Sequence, residues 1–126
     1  MSTKLHDVAN QAILGVGLAP QTITASANGG AGDMLTGDGP CFAIQQIGAV
    51  SGTSPTLAGK IQESADGSTN WTDVSGATFT TVTASTNNQA ITFERTKRYL
   101  RYVATVGGTT PSFAVAAVVS QQKKQV

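Results

Sequence analysis

The sequence predicts an all-β fold, a single antiparallel β-sandwich or jelly-roll-like domain with an N-terminal arm. The chain is rich in Thr, Ser and Gly, and only 12% of its residues are charged. Thr is stiff at χ1 and Gly is costly inside a helix, so this composition favours strands and turns. About eight short strand patterns, with turn residues roughly every 8–12 positions, are typical of an all-β sandwich.

The 126 residues fit one domain. A chain of this size can bury about two thirds of the surface that it exposes when unfolded. We place the β-sandwich domain at 20–120, an N-terminal arm at 1–19 and a C-terminal tail at 121–126.

The arm has two interpretations. Leu5, Val8 and Ile13 fall on one helical face, which favours a short helix. Gly15 and Gly17 would end such a helix early, and no capping box precedes it, so an extended arm is the alternative. In either form the arm can fold back on its own sheet or dock on a neighbouring protein.

The first strands follow from alternation and turn residues. Residues 21–27 alternate Thr and Ser with apolar residues and predict the first core strand. Residues 28–33 predict a loop, and 37–40 (Gly-Asp-Gly-Pro) predict a turn. Residues 41–50 are the longest apolar strand pattern, and broken alternation predicts a bulge near Gln45-Gln46.

The segment 54–74 is the clearest hairpin. Leu57 and Ile61 point to one face, with polar residues between them, as in a half-buried strand. Asp66-Gly67 is a turn signal because Gly adopts positive φ without a Cβ clash. The return strand resumes at Trp71, which makes the loop longer than two residues.

The C-terminal half continues the same pattern. Residues 77–84 are Thr-rich, and 89–94 place Ile91 and Phe93 on one face. Residues 99–106 predict a strand, 107–111 a hairpin loop, and 112–120 the closing strand. Both faces of the closing strand are apolar, so it is either central or covered by something outside the domain.

Catalytic, metal and cofactor sites are not predicted. The single histidine, His6, lies in the arm, whereas a catalytic triad needs a rigidly held base. Glu63 and Asp73 can lie on paired strands, but a 6% aromatic share supplies a poor substrate platform. The loop residues Asp33 and Asp38 match no known Ca²⁺ loop spacing.

The charge and cysteine content exclude further classes. A net charge of +1 gives no field that recruits nucleic acid or an anionic membrane. No window approaches the roughly 18 apolar residues of a membrane span, and the N-terminus lacks a signal-peptide pattern. The lone Cys41 cannot form an intrachain disulfide, and its apolar neighbours predict a buried thiol.

The strongest charge concentration is Arg95, Lys97, Arg98 and Arg101. It is typical of a solvated strand start or a protein contact, and less so of a nucleic-acid site. Trp71 is either a plug at the edge of the core or, as the alternative, a stacking contact for a saccharide.

Four blocks carry a resemblance to a known family. They are Thr-Leu-Ala-Gly-Lys-Ile-Gln-Glu-Ser-Ala-Asp-Gly-Ser at 56–68, Trp-Thr-Asp-Val at 71–74, Arg-Tyr-Leu-Arg-Tyr at 98–102 and Val-Gly-Gly-Thr-Thr-Pro-Ser-Phe at 106–113. In this order they resemble small structural proteins of tailed bacteriophages, including capsid decoration or cement proteins.

The resemblance implies a non-enzymatic protein, made in the host cytoplasm, on the capsid surface of the virion. Its implied partners are the major capsid protein and further copies of itself, as a dimer or trimer. A phage tail or tube component and a carbohydrate-binding module on the virion surface are the alternatives. We predict partner contacts at Leu5, Val8, Ile13, Leu14, Arg95, Arg98 and Arg101.

Overall fold

The structure, a computed structural model, describes residue 13 and residues 16–123. The described residues form seven strands. These are β1 (Val16–Ile23), β2 (Ala27–Asn28), β3 (Gly32–Asp33), β4 (Gly37–Ser64), β5 (Thr72–Thr78), β6 (Asn87–Phe93) and β7 (Tyr99–Lys123). Within these residues, no helix has the length and apolarity needed to cross a membrane.

Two long antiparallel strands form the centre of the sheet. β4 has 28 residues and β7 has 25, and they pair from Gly37 opposite Lys123 to Ser64 opposite Tyr99. β1, β2 and β3 pair along the outer edge of β7, whereas β5 and β6 pair along the outer edge of β4. The all-β prediction is therefore confirmed. The sandwich or jelly-roll arrangement itself is not, because hydrogen bonds connect all seven strands into one sheet.

The sheet has two halves, which we call the first and the second half. The first half consists of β1, the C-terminal part of β7, the N-terminal part of β4, and β6. The second half consists of β2 and β3, the N-terminal part of β7, the C-terminal part of β4, and β5. Each half is thus a small antiparallel sheet, and the two central strands connect one half to the other.

The two halves share one core. Alternate residues of β4 are buried in both halves, with Ala43 and Ile47 in the first and Leu57 and Ile61 in the second. The Oη atom of Tyr102, in the second half, donates a hydrogen bond of 2.5 Å to Oε1 of Gln45, in the first. The inner faces of the halves therefore contact each other around a common set of apolar side chains.

The bend between the halves lies at two similar segments, Gly52-Thr53-Ser54-Pro55 in β4 and Gly108-Thr109-Thr110-Pro111 in β7. The glycine φ angles are +112° and +109°, and Ser54 and Thr110 also have positive φ, 47° and 45°. A Cβ on Gly52 would lie 2.6 Å from the carbonyl oxygen of Thr110. A Cβ on Gly108 would lie 2.6 Å from that of Ser54. Because glycine has no Cβ, the backbone of the opposite strand can lie close to each of these two residues.

This bend corrects the hairpin loop predicted at 107–111. The chain does not reverse there, because β7 continues through the segment while its register with β4 shifts at Ile47/Val50, Ser51/Thr53 and Thr53/Thr56. The Gly and Pro residues supply a bulged bend in two paired strands. Pro55 is tolerated inside β4 because the interrupted ladder requires no N–H from it.

Other boundaries differ from prediction. The bulge expected near Gln45-Gln46 lies between Ile47 and Val50 instead, since the register from Cys41 to Ile47 is unbroken against β6. The turn expected at 37–40 is the start of β4, and the chain turns at 35–36. The strand expected at 21–27 is divided into β1 and β2, and the loop expected at 28–33 contains the short β3.

Several predictions are confirmed. The 54–74 hairpin is present, with Gln62 opposite Asp73 and Glu63 opposite Thr72. The closing strand is central, as part of β7. Cys41 is fully buried, and burial raises the pKa of its thiol to about 11.

We expect Gly52→Ala and Gly108→Ala each to lower the free energy of unfolding by about 2–4 kcal/mol, because strain from positive φ adds to a backbone clash. Urea unfolding measures this. Gly76→Ala is the matched control, since Gly76 has φ +77° but no atom within 4 Å of the place that a Cβ would take. If all three variants lost the same free energy of unfolding, the close approach of β4 and β7 at the bend would not be the source of the strain.

We expect Tyr102→Phe to destabilise the protein by about 1–3 kcal/mol, since it leaves the buried amide of Gln45 without the Tyr102 hydroxyl as a partner. Nε2 of Gln45 already lacks a hydrogen-bond partner among the described residues. The double variant Tyr102→Phe/Gln45→Met should recover much of this loss, because both polar partners are then removed. If urea unfolding shows that the double variant loses as much free energy of unfolding as the two single variants together, this explanation is wrong.

Candidate interaction surface

The predicted cluster of basic residues is divided by the structure. Arg95 is half-buried and binds the fold internally: its guanidinium donates to the carbonyl oxygens of Met34 (2.7 Å) and Lys97 (3.0 Å) and to Oε1 of Gln121 (2.8 Å). It therefore ties the β3–β4 turn to β7 and the β6–β7 loop. Its guanidinium is engaged by the fold, which favours a structural role over a partner contact.

Arg98 forms a bidentate ion pair at the edge of the second half. Its Nε and Nη2 atoms donate to the two carboxylate oxygens of Asp33 at 2.8 and 2.7 Å. These hydrogen bonds, together with one from the N–H of Leu35, hold the pKa of Asp33 at about 2, below its ordinary value of 3.8. The pair fixes β3 against the start of β7.

Arg101 lies on the outer surface of the second half. Its guanidinium stacks 4.5 Å from the centroid of the Trp71 ring and donates to Oε1 of Gln62 at 2.7 and 3.0 Å. Lys60 and Asp73 form an ion pair of 3.1 Å beside them. We call these five residues the charged face. Arg101 occupies one face of the indole that a saccharide would need.

Glu63 and Asp73 do not form an acid/base pair. Glu63 is buried and accepts hydrogen bonds from the N–H and hydroxyl of Thr96 and from the N–H of Lys97. Asp73 is exposed and belongs to the charged face. They stand on opposite sides of the sheet, because Gln62, not Glu63, is opposite Asp73 in the register. Among the described residues, no group of three His, Cys, Asp or Glu could hold a metal ion.

Asp66 organises the tip of the 54–74 hairpin. Its carboxylate accepts hydrogen bonds from the N–H groups of Ser68 and Thr69 and from the hydroxyls of Ser64 and Thr69. These bonds, led by the one from the Thr69 hydroxyl, lower the pKa of Asp66 below its usual range. This carboxylate is committed to the loop.

The outer surface of the first half differs from the charged face. We call it the uncharged face and define it by the outward side chains from Phe42 to Gly48 of β4 and those beside them on β1, β6 and β7, none of which is ionisable. These residues are Gly17, Thr22, Phe42, Ile44, Gln46, Gly48, Asn88, Ala90, Thr92, Ala114, Ala116, Val118 and Ser120.

The uncharged face has a ridge and a hollow. The ridge consists of Phe42, Ile44 and Val118; Ile44 is directly opposite Val118, whose exposed fraction is 44%. The hollow is an open depression of about 430 Å³, and residues of all four strands line it, among them Thr22, Gln46, Gly48, Asn88, Ala114 and Ala116. The hollow exists because Gly48 and Ala114 are small and adjacent: a Cβ on Gly48 would be 3.6 Å from that of Ala114.

One signal in the sequence points to this surface, namely that both faces of the closing strand are apolar. Ala114, Ala116 and Val118 are the outward side chains of that strand. The residues of β1, β4 and β6 that lie beside this strand cannot be identified without the strand register. The sequence analysis therefore missed the face itself. Of the arm residues predicted as contacts, Leu5, Val8 and Leu14 lie outside the described part of the chain.

Ile13 is described, and it binds its own domain. Its N–H donates to the carbonyl oxygen of Gln121 at 2.7 Å, its carbonyl oxygen accepts from the hydroxyl of Ser120, and its side chain packs against the core. This placement favours an intramolecular role for Ile13.

Comparison with known proteins adds no assignment: no family model matches the sequence, and no curated protein matches it.

We expect Asp33→Asn to lower stability at neutral pH, and the difference from the unchanged protein to shrink as pH falls from about 4 to about 2. The reason is linkage: a carboxyl whose folded-state pKa is lowered from 3.8 to about 2 stabilises the fold above pH 3.8 and loses this effect as it protonates. Urea midpoints measured against pH test this. The same substitution in an Arg98→Gln background should show a smaller pH-dependent difference, and an identical one would contradict the ion pair as its main cause.

Proposed function

We propose that this chain is a structural protein of a bacteriophage particle, a capsid decoration or cement protein that stabilises the head by bridging neighbouring subunits. The resemblance of residues 56–68, 71–74, 98–102 and 106–113 to small phage structural proteins supports the particle context. The observation that carries the mode of action is the uncharged face.

The uncharged face is suited to contact with another protein. Its central strands carry Ile44, Ala116 and Val118 outward, where a purely solvent-facing sheet carries polar side chains. Burying apolar surface contributes about 25 cal/mol per Å² removed from water. No charge has to be desolvated in these rows, so this contribution is not offset by the cost of burying an ion.

A contact through the uncharged face is small, so it has to be repeated over many copies to hold the protein on a particle. The face spans four strands spaced about 4.8 Å apart and about seven residues of about 3.3 Å each, or roughly 400 Å². A stable interface between two proteins buries about 800 Å² on each partner. A single contact would be weak, but many copies on one particle gain affinity by multivalency.

The ionisable groups support a non-catalytic role. The carboxylates of Asp33, Glu63 and Asp66 are each held by hydrogen bonds that order a loop or an edge. Asp73 is held by Lys60 and Gln62. These groups stabilise the domain that presents the uncharged face.

We expect Val118→Asp to weaken the addition of the protein to phage heads at least tenfold, because a carboxylate in the ridge would have to be desolvated in the contact. Heads that lack this chain, prepared from the particle whose genome encodes it, are mixed with purified protein and sedimented. Added protein should also raise the melting temperature of the heads.

Val103→Asp is the matched control. Val103 is also an outward residue of β7, but it lies in the second half, opposite Lys60. This variant should add to heads like the unchanged protein. Both variants should keep the unfolding temperature of the isolated domain within a few degrees. Heads that neither bind the unchanged protein nor gain stability from it would overturn the proposed function.

A further inference from the structure

We propose that β6 pairs edge to edge with β6 of a second copy of this chain, antiparallel, about a two-fold axis at Ala90. The inference concerns the free edge of β6 and does not depend on the proposed function. It is carried by the backbone groups along that edge, by the way the other edges of the sheet are protected, and by a register in which the strand is complementary to itself.

The outer edge of β6 carries backbone groups without partners. The N–H of Thr86 donates to the carbonyl oxygen of Gly48 at 2.9 Å, and the register continues unbroken from there to Phe93 opposite Cys41. Groups of an antiparallel strand point alternately to either side, so residues 86, 88, 90 and 92 bond to β4. Residues 87, 89, 91 and 93 direct their N–H and C=O groups away from β4. Among the described residues, no strand or other backbone group bonds to them there.

The other edges of the sheet are protected against pairing. β1 contains Pro20 and a register shift between Leu18 and Gln21. β5 faces a register shift between Lys60 and Gln62, and β2 and β3 have two residues each. Such devices prevent edge-to-edge association. Among the described edge strands, β6 alone presents a regular edge of 7 residues without Gly, Pro or a charged side chain.

The described part of the same molecule offers no strand for this edge. Segment 79–82 contacts β6, but Val82 and Leu57 exchange backbone hydrogen bonds, which hold this segment on β4. The side chain of Gln89 donates to the carbonyl oxygen of Thr80 and accepts from its N–H, both at 2.8 Å. The backbone of Thr80 is thereby committed to a side chain of β6 and does not extend the ladder beyond β6.

One register of β6 against itself uses every outward group. With Ala90 opposite Ala90 of the second copy, residue 87 pairs with 93 and residue 89 with 91, so each outward N–H and C=O finds a partner. A shift of two residues in either direction leaves some of these groups unpaired. A shift of one residue sets them against residues that already bond to β4. Such an isologous contact closes at two copies.

The side chains fit this register. Asn88 lies opposite Thr92 of the second copy, where an amide and a hydroxyl can form a hydrogen bond. Ala90 is exposed and small, so two copies of it can meet on the axis. Glu94, the first charged residue after β6, lies opposite Thr86, which keeps the two Glu94 carboxylates at opposite ends of the pairing, about 26 Å apart. Backbone donors and acceptors, together with these side chains, thus select a second β6.

The pairing also enlarges the surface that the proposed function uses. A two-fold axis between paired strands is perpendicular to the sheet, so the outer surfaces of both first halves lie on the same side. Two uncharged faces of roughly 400 Å² each then form one surface of roughly 800 Å², which a stable interface buries on each partner. This consequence, unlike the pairing itself, rests on the proposed function.

Disulfide trapping in the purified full chain tests the register. Opposite residues that share no hydrogen bonds have Cα atoms about 4.5 Å apart, within reach of a disulfide. Ala90→Cys should therefore form a covalent dimer in oxidised glutathione about tenfold faster than Asn88→Cys or Thr92→Cys alone, whose thiols lie about 13 Å from their own copies. An equimolar mixture of Asn88→Cys and Thr92→Cys should form the covalent heterodimer as fast as Ala90→Cys dimerises. The native Cys41 is fully buried and leaves the new thiol as the accessible one.

Sedimentation equilibrium up to about 1 mM measures the association without a covalent bond. The unchanged protein should show a monomer–dimer equilibrium. Ala90→Lys should weaken it about tenfold or more, because two ammonium groups then face each other on the axis. Ser75→Lys is the matched control, since Ser75 is also exposed on an edge strand, β5, and this variant should dimerise like the unchanged protein.

Four results would each overturn the inference: a monomer at every concentration, a trimer, an equal loss with Ser75→Lys, or a mixture that cross-links no faster than its two components. A different strand on this edge, from elsewhere in the chain, would trap neither Ala90→Cys nor the mixture and would overturn it as well.

Head binding separates this failure from failure of the proposed function. A protein that stays monomeric but adds to heads in a Val118-dependent way would retain the proposed function, and only the pairing of β6 would fail. A protein that is trapped as described but does not add to heads would retain the pairing and lose the proposed function.

Discussion

The bend at Gly52 and Gly108, where β4 and β7 approach each other closely, is the constraint on which the rest of the structure depends. The carbonyl oxygens of Ser54 and Thr110 lie only 2.6 Å from the places that a Cβ on Gly108 and on Gly52 would take, so the strands can bend together without separating. Because both strands bend, a single sheet can bring its two inner faces together and bury one core. Without the bend, the sheet would expose an apolar surface on each half.

The same bend decides where polar groups are placed. Gln45 and Tyr102, far apart along the sheet, meet in the core, and Glu63 reaches the 96–97 loop from the inner side of β4. Most charged side chains of the described residues then lie at sheet edges, in loops or on the outer surface of the second half. The outer surface of the first half is left with small, apolar and uncharged side chains. The proposed mode of action thus follows from how the fold distributes its charges.

Much of the local structure could be predicted from the sequence, and the pairing could not. Alternation at Leu57 and Ile61 and the turn at Asp66-Gly67 predicted a hairpin that is present. Gly and Pro at 107–111 predicted a second hairpin that is absent, because the same residues permit either a reversal or a bulged bend. Which one forms depends on the long-range pairing of β7 with β4. The uncharged face was missed for the same reason, since its rows combine four strands distant in sequence.

An electron cryomicroscopy map of the particle that contains this chain tests the central claim most directly, because it shows what lies against each surface of the domain. We expect protein density packed on the rows of Ile44, Gln46 and Gly48, with the charged face around Trp71 and Arg101 open to solvent. Density on the charged face, with the Ile44 and Val118 ridge open to solvent, would contradict that claim.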